Sequence, residues 1–185
     1  MDLFEAAPEQ ESGVHARRKA TPGVTVLCLG VPGLTSLLFV ALSPALPSMA
    51  AEYAADGDGA MLAQMVFSLA AVMMVVGAVL AGVVGELIGR RRILIGGLVV
   101  YAVAGVAGMF APNIGWLAAT RAAAGLVSGM MLTASYATIG EYYEGDARER
   151  MLGWVSMFAS MCSIVLLVVG GIMVDALGWR AMFAL

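Results

Sequence analysis

The chain alternates long uninterrupted apolar stretches with short clusters of charge. No charged residue occurs at positions 20–51, 59–85, 93–120, 122–140 or 151–174. A helix needs about 20 predominantly apolar residues to cross the hydrocarbon core of a bilayer. In lipid, every backbone amide and carbonyl must be satisfied within the spanning segment, so helices are the default. The runs are continuous and lack the inside–outside alternation over about ten residues that a closed barrel would show. The pattern predicts spans over roughly Val24–Pro44, Met61–Val84, Ile93–Ala111, Ile114–Ile139 and Leu152–Val174. Pro112-Asn113 divides the third from the fourth through a very tight turn. A further apolar stretch opens at Trp179 and stops at Leu185, too short to span. The expected fold class is an all-α membrane protein, a helical bundle of five full transmembrane helices plus the start of a sixth.

Composition supports this. The chain of 185 residues is 61% hydrophobic and 12% charged, with a mean hydropathy of +0.92. A soluble domain is about half apolar and about a quarter charged. The residue types also limit chemistry. His15 is the single histidine and Lys19 the single lysine. A histidine-rich metal site, a haem-binding pair, a Ser/His/Asp triad and a lysine-dependent phosphate loop all lack their residues. Cys28 and Cys162 fall in different spans, where a small apolar filler is the expected role, not a disulfide. No cofactor is expected, no enzyme activity, and no nucleic acid, because there is no basic soluble face.

The net charge of −3 conceals a sharp sidedness. Arg17, Arg18 and Lys19 precede the first span. Arg90, Arg91 and Arg92 follow the second, and Arg148 and Arg150 follow the fourth. The connection after the first span holds only Glu52, Asp56 and Asp58. Lysine and arginine mark the cytoplasmic side, so the N-terminus is expected there, in a plasma (inner) membrane. Residues 1–22, with acids, prolines and the basic triplet, read as a disordered cytoplasmic tail. The tail is too long and acidic, and the run after it too long, for a signal peptide. Residues 23–185 then form the transmembrane bundle.

The most specific local feature is Gly82-Val83-Val84-Gly85-Glu86-Leu87-Ile88-Gly89-Arg90-Arg91-Arg92. Three arginines suffice to fix topology, but they leave Gly82, Glu86 and Gly89 unexplained. Glycines flanking a tight turn let helices approach closely. An acid at a helix C-terminus is unfavourable against the helix dipole unless a positive group faces it. This segment resembles the signature G-x-x-x-[DE]-x-x-G-[RK]-[RK] of the major facilitator superfamily, matched at Gly82, Glu86, Gly89, Arg90 and Arg91. It also lies between the second and third spans, as in that family. Arg121-Ala122-Ala123-Ala124-Gly125 is similar to the family's R-x-x-Q-G, with Ala124 at the glutamine position. Glu141-Tyr142-Tyr143 with Arg148 to Gly153, Leu46-Pro47-Ser48 and Gly178-Trp179-Arg180-Ala181-Met182-Phe183 resemble further family segments. The resemblance covers residues 24–185, the first of two six-helix halves.

The resemblance implies a secondary transporter in which two helix bundles rock about a central substrate site. It implies that Glu86 docks on the second half, and that Arg90 bridges it to an acid at the end of the fourth helix, for which Glu141 is the candidate. Gly82, Glu86, Gly89, Arg90, Arg91 and Glu141 are then a conformational latch. Arg121, with Gly125 beside it, is the family's transport-linked intramembrane position. By sequence alone, a charge at that depth is costly and marks function more often than snorkelling. Arg121, Ser128 and Ser135 recur at a spacing that places them on one helix face. Thr35, Gln64, Ser128, Ser135 and Tyr136 are the candidate cavity residues, although Ser and Thr in spans often bond their own backbone.

No Asp or Glu lies inside the predicted spans, so an acid for proton coupling must come from a span end or from a second bundle. The Leu166-Leu167-Val168-Val169-Gly170-Gly171 stretch keeps the Gly-Gly end of the family's drug-antiporter motif G-P-x-x-G-G but not its Gly-Pro start. The expected partners are a small-molecule substrate, a coupling ion, the lipid bilayer, and a missing C-terminal half or a second copy. The competing expectation is a truncated or structural multi-spanning protein without transport of its own. A reading frame running on past Leu185 into about six further spans separates the two.

Overall fold

The computed structural model describes residues 22–41, 43–52, 54 and 58–178. They are helical apart from caps and short turns, with no strand among them. The helices are α1 (Pro22–Ser36), α2 (Leu46–Glu52), α3 (Gly59–Ile88), α4 (Arg90–Met109), α5 (Ile114–Tyr142) and α6 (Gly145–Leu177). Five segments are long and apolar enough to cross a membrane, the first running from Thr25 to Glu52.

The first span is longer and less regular than its apolar pattern implies. Pro32 sits inside α1. Beyond Ser36 the chain takes a π-helical turn over Leu37–Ala41, then a 3-10 turn over Ser43–Ala45, before α2 resumes. Proline lacks the amide that would bond the carbonyl one turn back. Here that carbonyl belongs to Cys28, and the Ser135 hydroxyl of α5 donates to it at 3.3 Å. The Cys28 thiol donates back to the Ser135 carbonyl at 3.9 Å. A neighbouring helix thus satisfies the group that proline frees, which is how prolines persist within lipid.

The other boundaries follow from local chemistry. Asp58 caps α3 by accepting the Met61 amide at 3.3 Å. Asn113 caps α5 by accepting the Trp116 amide at 2.8 Å. The Pro112-Asn113 break therefore lies where the sequence puts it. A single residue, Gly89, ends α3 and begins α4. Its φ of +84° lies in the region that L side chains rarely adopt, so this joint requires glycine.

α5 is the centre of the bundle: 56% of its most apolar window is buried, against 6% for α6. The reason is its small side chains. α3 and α5 run parallel, and Gly125 and Gly129 of α5 lie on the backbone of α3 at Ala70 and Met74. Gly77 of α3 returns the contact at the Leu126 carbonyl. A Cβ on any of the three would overlap backbone atoms. Glycines four apart produce such close crossings in membranes, where packing rather than water expulsion drives helix association. On its other side α5 meets α4, where Met131 fills the space over Gly97. α6 is held through α1, with Cys162 and Phe158 over Gly33.

Residues 1–21 and 179–185 lie outside the described residues. The expected tail and the expected Gly178-Trp179-Arg180 start of a sixth helix therefore fall there, apart from Gly178, which ends α6 with φ +82°. Pro22, assigned to the tail by sequence, is the first residue of α1.

Candidate functional site: a charged cleft at the basic end of the bundle

The end of the bundle that carries Arg90, Arg91 and Arg92 contains a cleft of about 1020 Å³. Its walls are the start of α1, the end of α3, the first turn of α4 and the end of α5. Four of these side chains are charged: Glu86, Arg90, Arg91 and Glu141.

The Gly89 joint fixes this arrangement. It turns the chain within one residue, so that Arg90 begins α4 beside the last turns of α5. Arg90 Nη1 donates to Glu141 Oε1 at 2.8 Å and to the Ala137 carbonyl at 2.7 Å. Arg90 is 36% exposed and Glu141 57%. An exposed ion pair contributes about 0.2–1 kcal/mol, and a charge-assisted bond to a carbonyl about 1.5–3 kcal/mol. The carbonyl bond therefore anchors the arginine, and Glu141 pairs with the same nitrogen. Glu86 is exposed one turn before Gly89. It makes no ion pair among the described residues.

All six residues of the expected latch line this one cleft. Gly82 differs from its reading in the sequence. A Cβ there would meet nothing within 4 Å, so close helix approach within this chain does not require it. Only Gly89 is demanded by the turn.

The intramembrane residues lie elsewhere. Arg121 is 5% exposed and points inward, Nη2 donating to the Ala104 carbonyl of α4 at 3.2 Å. Beside it on α4, the Tyr101 hydroxyl donates to the Leu34 carbonyl of α1 at 3.1 Å. Arg121 thus belongs to a buried polar junction of α1, α4 and α5 and does not reach for the interface. Gly125 packs on α3 as described. Ser128 is fully buried, and its hydroxyl has no hydrogen-bond partner among the described residues.

The five candidate cavity residues are not gathered at one place. Thr35 is buried and spends its hydroxyl on the Pro32 carbonyl at 2.9 Å. Ser135 is fully buried in the α1–α5 contact. Gln64 and Tyr136 are exposed, and none of the five lines the cleft. Sequence reasoning passed over Thr25 and noted Tyr143 only within a family-like segment, yet their hydroxyls share a hydrogen bond of 3.0 Å between the start of α1 and the end of α5. A polar residue at each end of two long apolar runs was the available signal, but pairing them requires knowing that the helices touch.

Ser135→Ala leaves the Cys28 carbonyl without its donor in a proline-interrupted helix. Interhelical bonds in membranes average about 0.6 kcal/mol, with maxima near 1.7, and a buried carbonyl left unsatisfied costs about 1–3 kcal/mol. A loss of about 1 kcal/mol is expected, read as a lowered thermal midpoint of the detergent-solubilised protein. An unchanged midpoint would show that Pro32 needs no such support.

The family model described as Major Facilitator Superfamily matches residues 29–185. The chain belongs to the major facilitator superfamily. It is thus an integral membrane protein of a transporter family, whose members bind small molecules and sit in the bilayer, and this points to a transporter rather than an enzyme. The chain is similar to the niacin transporter NiaP of Acinetobacter baylyi, at 29% identity over 64% of this chain and 27% of the relative. It is 28% identical to the multidrug resistance protein Stp of Mycobacterium tuberculosis, over 86% of this chain and 30% of the relative. The multidrug transporter protein MdtP of Bacillus subtilis is 28% identical over 56% of this chain and 19% of the relative. The chain thus spans less than a third of the length of these relatives.

Proposed function

We propose that this chain is the N-terminal helical bundle of a secondary transporter that moves a small organic molecule by alternating access. The N-terminus is cytoplasmic, and a complementary bundle comes from the remainder of a longer protein or from a second copy. The observation that carries the reading is the Arg90–Glu141 pair within a cleft that also presents Glu86 and Arg91. Charges gathered where two bundles would meet form contacts that exist in one state and break in the other. Such contacts bias populations without touching substrate.

The latch works as follows. With the cytoplasmic side closed, Glu86 faces a positive group of the complementary bundle, such as a helix N-terminus. Arg90, held by the Ala137 carbonyl, keeps α4 and α5 together as that contact forms. Gly82, open to the cleft, leaves room for the incoming helix. The relatives named for niacin and multidrug transport make small organic molecules the substrate class to screen. Coupling is to an ion. Among the described residues every Asp and Glu lies at a helix cap or in the first or last turns of a helix, so a titrating acid at mid-membrane comes from the complementary bundle.

The test uses the full-length protein in proteoliposomes and a panel of small organic molecules that includes niacin and lipophilic cations. Arg90→Ala removes an ion pair and a carbonyl bond, and a differential of about 1.4 kcal/mol of their sum between the two states is tenfold in a conformational equilibrium. Transport should fall about tenfold with membrane insertion unchanged. Glu141→Gln should have a smaller effect, because Ala137 still anchors the arginine. Equal rates for wild type and Arg90→Ala would remove the latch from the mechanism.

A further inference from the structure

The N-terminal segment carries its charges in two blocks, Asp2, Glu5, Glu9 and Glu11 followed by Arg17, Arg18 and Lys19. The cleft carries two blocks of its own, Glu86 and Glu141 on α3 and α5, and Arg90 and Arg91 on α4, with Arg92 following. The segment joins the bundle at Pro22, and the next residues of α1, Gly23 and Leu27, are part of the cleft wall. Its point of attachment therefore lies at the cleft. Arg90 is committed to Glu141 and the Ala137 carbonyl. Glu86 and Arg91 make no ion pair among the described residues.

We propose that residues 1–21 dock in this cleft. The basic block sits against Glu86 near the point of attachment, and the acidic block reaches Arg91 and Arg92. Reach is ample: an extended chain covers about 3.3–3.6 Å per residue, so the stretch from Glu11 to Gly23 can extend ~40 Å. The attachment point also favours the contact. A tethered segment meets its site at an effective concentration of about millimolar, so a few solvent-exposed charge pairs suffice for reversible docking. Such docking is salt-sensitive, because exposed charges are screened within about 10 Å at 0.1 M salt. The functional consequence rests on the transporter reading above: a docked segment occupies the place of the complementary bundle and opposes closure of the latch.

The test is labelling of a cysteine introduced at Thr133, on the cleft wall, in the full-length protein in inside-out membrane vesicles. The probe is a membrane-impermeant maleimide, and labelling is counted above that of the parent protein. Asp2→Asn, Glu5→Gln, Glu9→Gln and Glu11→Gln are introduced together. These positions lie outside the bundle, and the basic triplet that sets topology is kept. Neutralising the acids should raise the labelling rate about fivefold, and about 0.5 M salt should raise the wild-type rate alike without further effect on the variant. Equal rates in both proteins with no salt effect would overturn the proposal, since any protection would then come from the complementary bundle. Labelling only from the outer face of intact cells would instead overturn the cytoplasmic placement of the cleft. Faster labelling with unaltered transport would leave the docking standing and remove its regulatory consequence.

Discussion

Gly129→Leu is expected to abolish the folded bundle. Gly129 lies where α5 meets the backbone of α3, and a Cβ there would overlap the Met74 carbonyl and approach the Ala78 amide nitrogen to 2.9 Å. Neither atom can rotate away, because both belong to the hydrogen-bonded ladder of a 30-residue helix. The helices would have to separate, and Gly125 and Gly77 would lose their contacts along with Gly129. Inserting atoms into a packed core costs about 1–3 kcal/mol when neighbouring side chains can adjust, and here the obstacle is backbone. Gly129→Ala should lower the thermal midpoint, and Gly129→Leu should leave no monodisperse species on size-exclusion chromatography of the solubilised protein. Gly96→Ala, at a position where an added Cβ meets nothing within 4 Å, should behave as wild type. A monodisperse Gly129→Leu protein with a wild-type midpoint would show that the α3–α5 seam does not hold the bundle.

Arg121→Leu should separate stability from function. The guanidinium is buried and donates to the Ala104 carbonyl. Burying a cation carries a desolvation penalty of several kcal/mol that a leucine of similar bulk does not incur. The variant should therefore insert normally and melt at or above the wild-type midpoint. Transport should fall at least ~100-fold, since an ionisable group retained within a span against its cost is a functional group by default. Arg121→Lys should recover little, because an ammonium on a flexible stem does not reproduce a planar fork of donors. The measurement pairs thermal midpoints with transport of the substrate found by the screen. A less stable variant that transports normally would make Arg121 a packing residue.

How much of this was legible in the sequence differs from residue to residue. That the six residues of the expected latch share one end of the bundle was legible because most are close in sequence: Gly82 to Arg91 spans one helix end and one joint, and only Glu141 had to be brought in from afar. The cavity residues were not. Ser135 and Tyr136 are neighbours in sequence, yet one is fully buried against α1 and the other is 42% exposed, because successive helical residues point about 100° apart. Thr35 is polar by composition but silent by geometry, its hydroxyl turned back to Pro32. Gly125 was singled out beside Arg121, and its spacing of four from Gly129 is a local sign of a helix contact; that the partner is α3, with Gly77 returning the contact, is seen only in the structure.

The sequence by itself determined that the chain is helical, that five of its segments are long and apolar enough to span a membrane, and where the breaks between them fall. These properties arise from interactions within one segment or between a segment and its solvent: a backbone that must satisfy itself in lipid, arginines that stay in water, and caps such as Asp58 and Asn113 that bond amides a turn away. The tertiary structure alone decided which helix is central, that α3 and α5 run together on glycine, that Ser135 satisfies the carbonyl Pro32 exposes, and that the Ala137 carbonyl anchors Arg90 beside Glu141. Those are contacts between residues far apart in the chain. Every helix here is apolar on most sides, so hydropathy cannot say which face meets which neighbour. That choice is made by shape, where a missing Cβ lets two backbones touch.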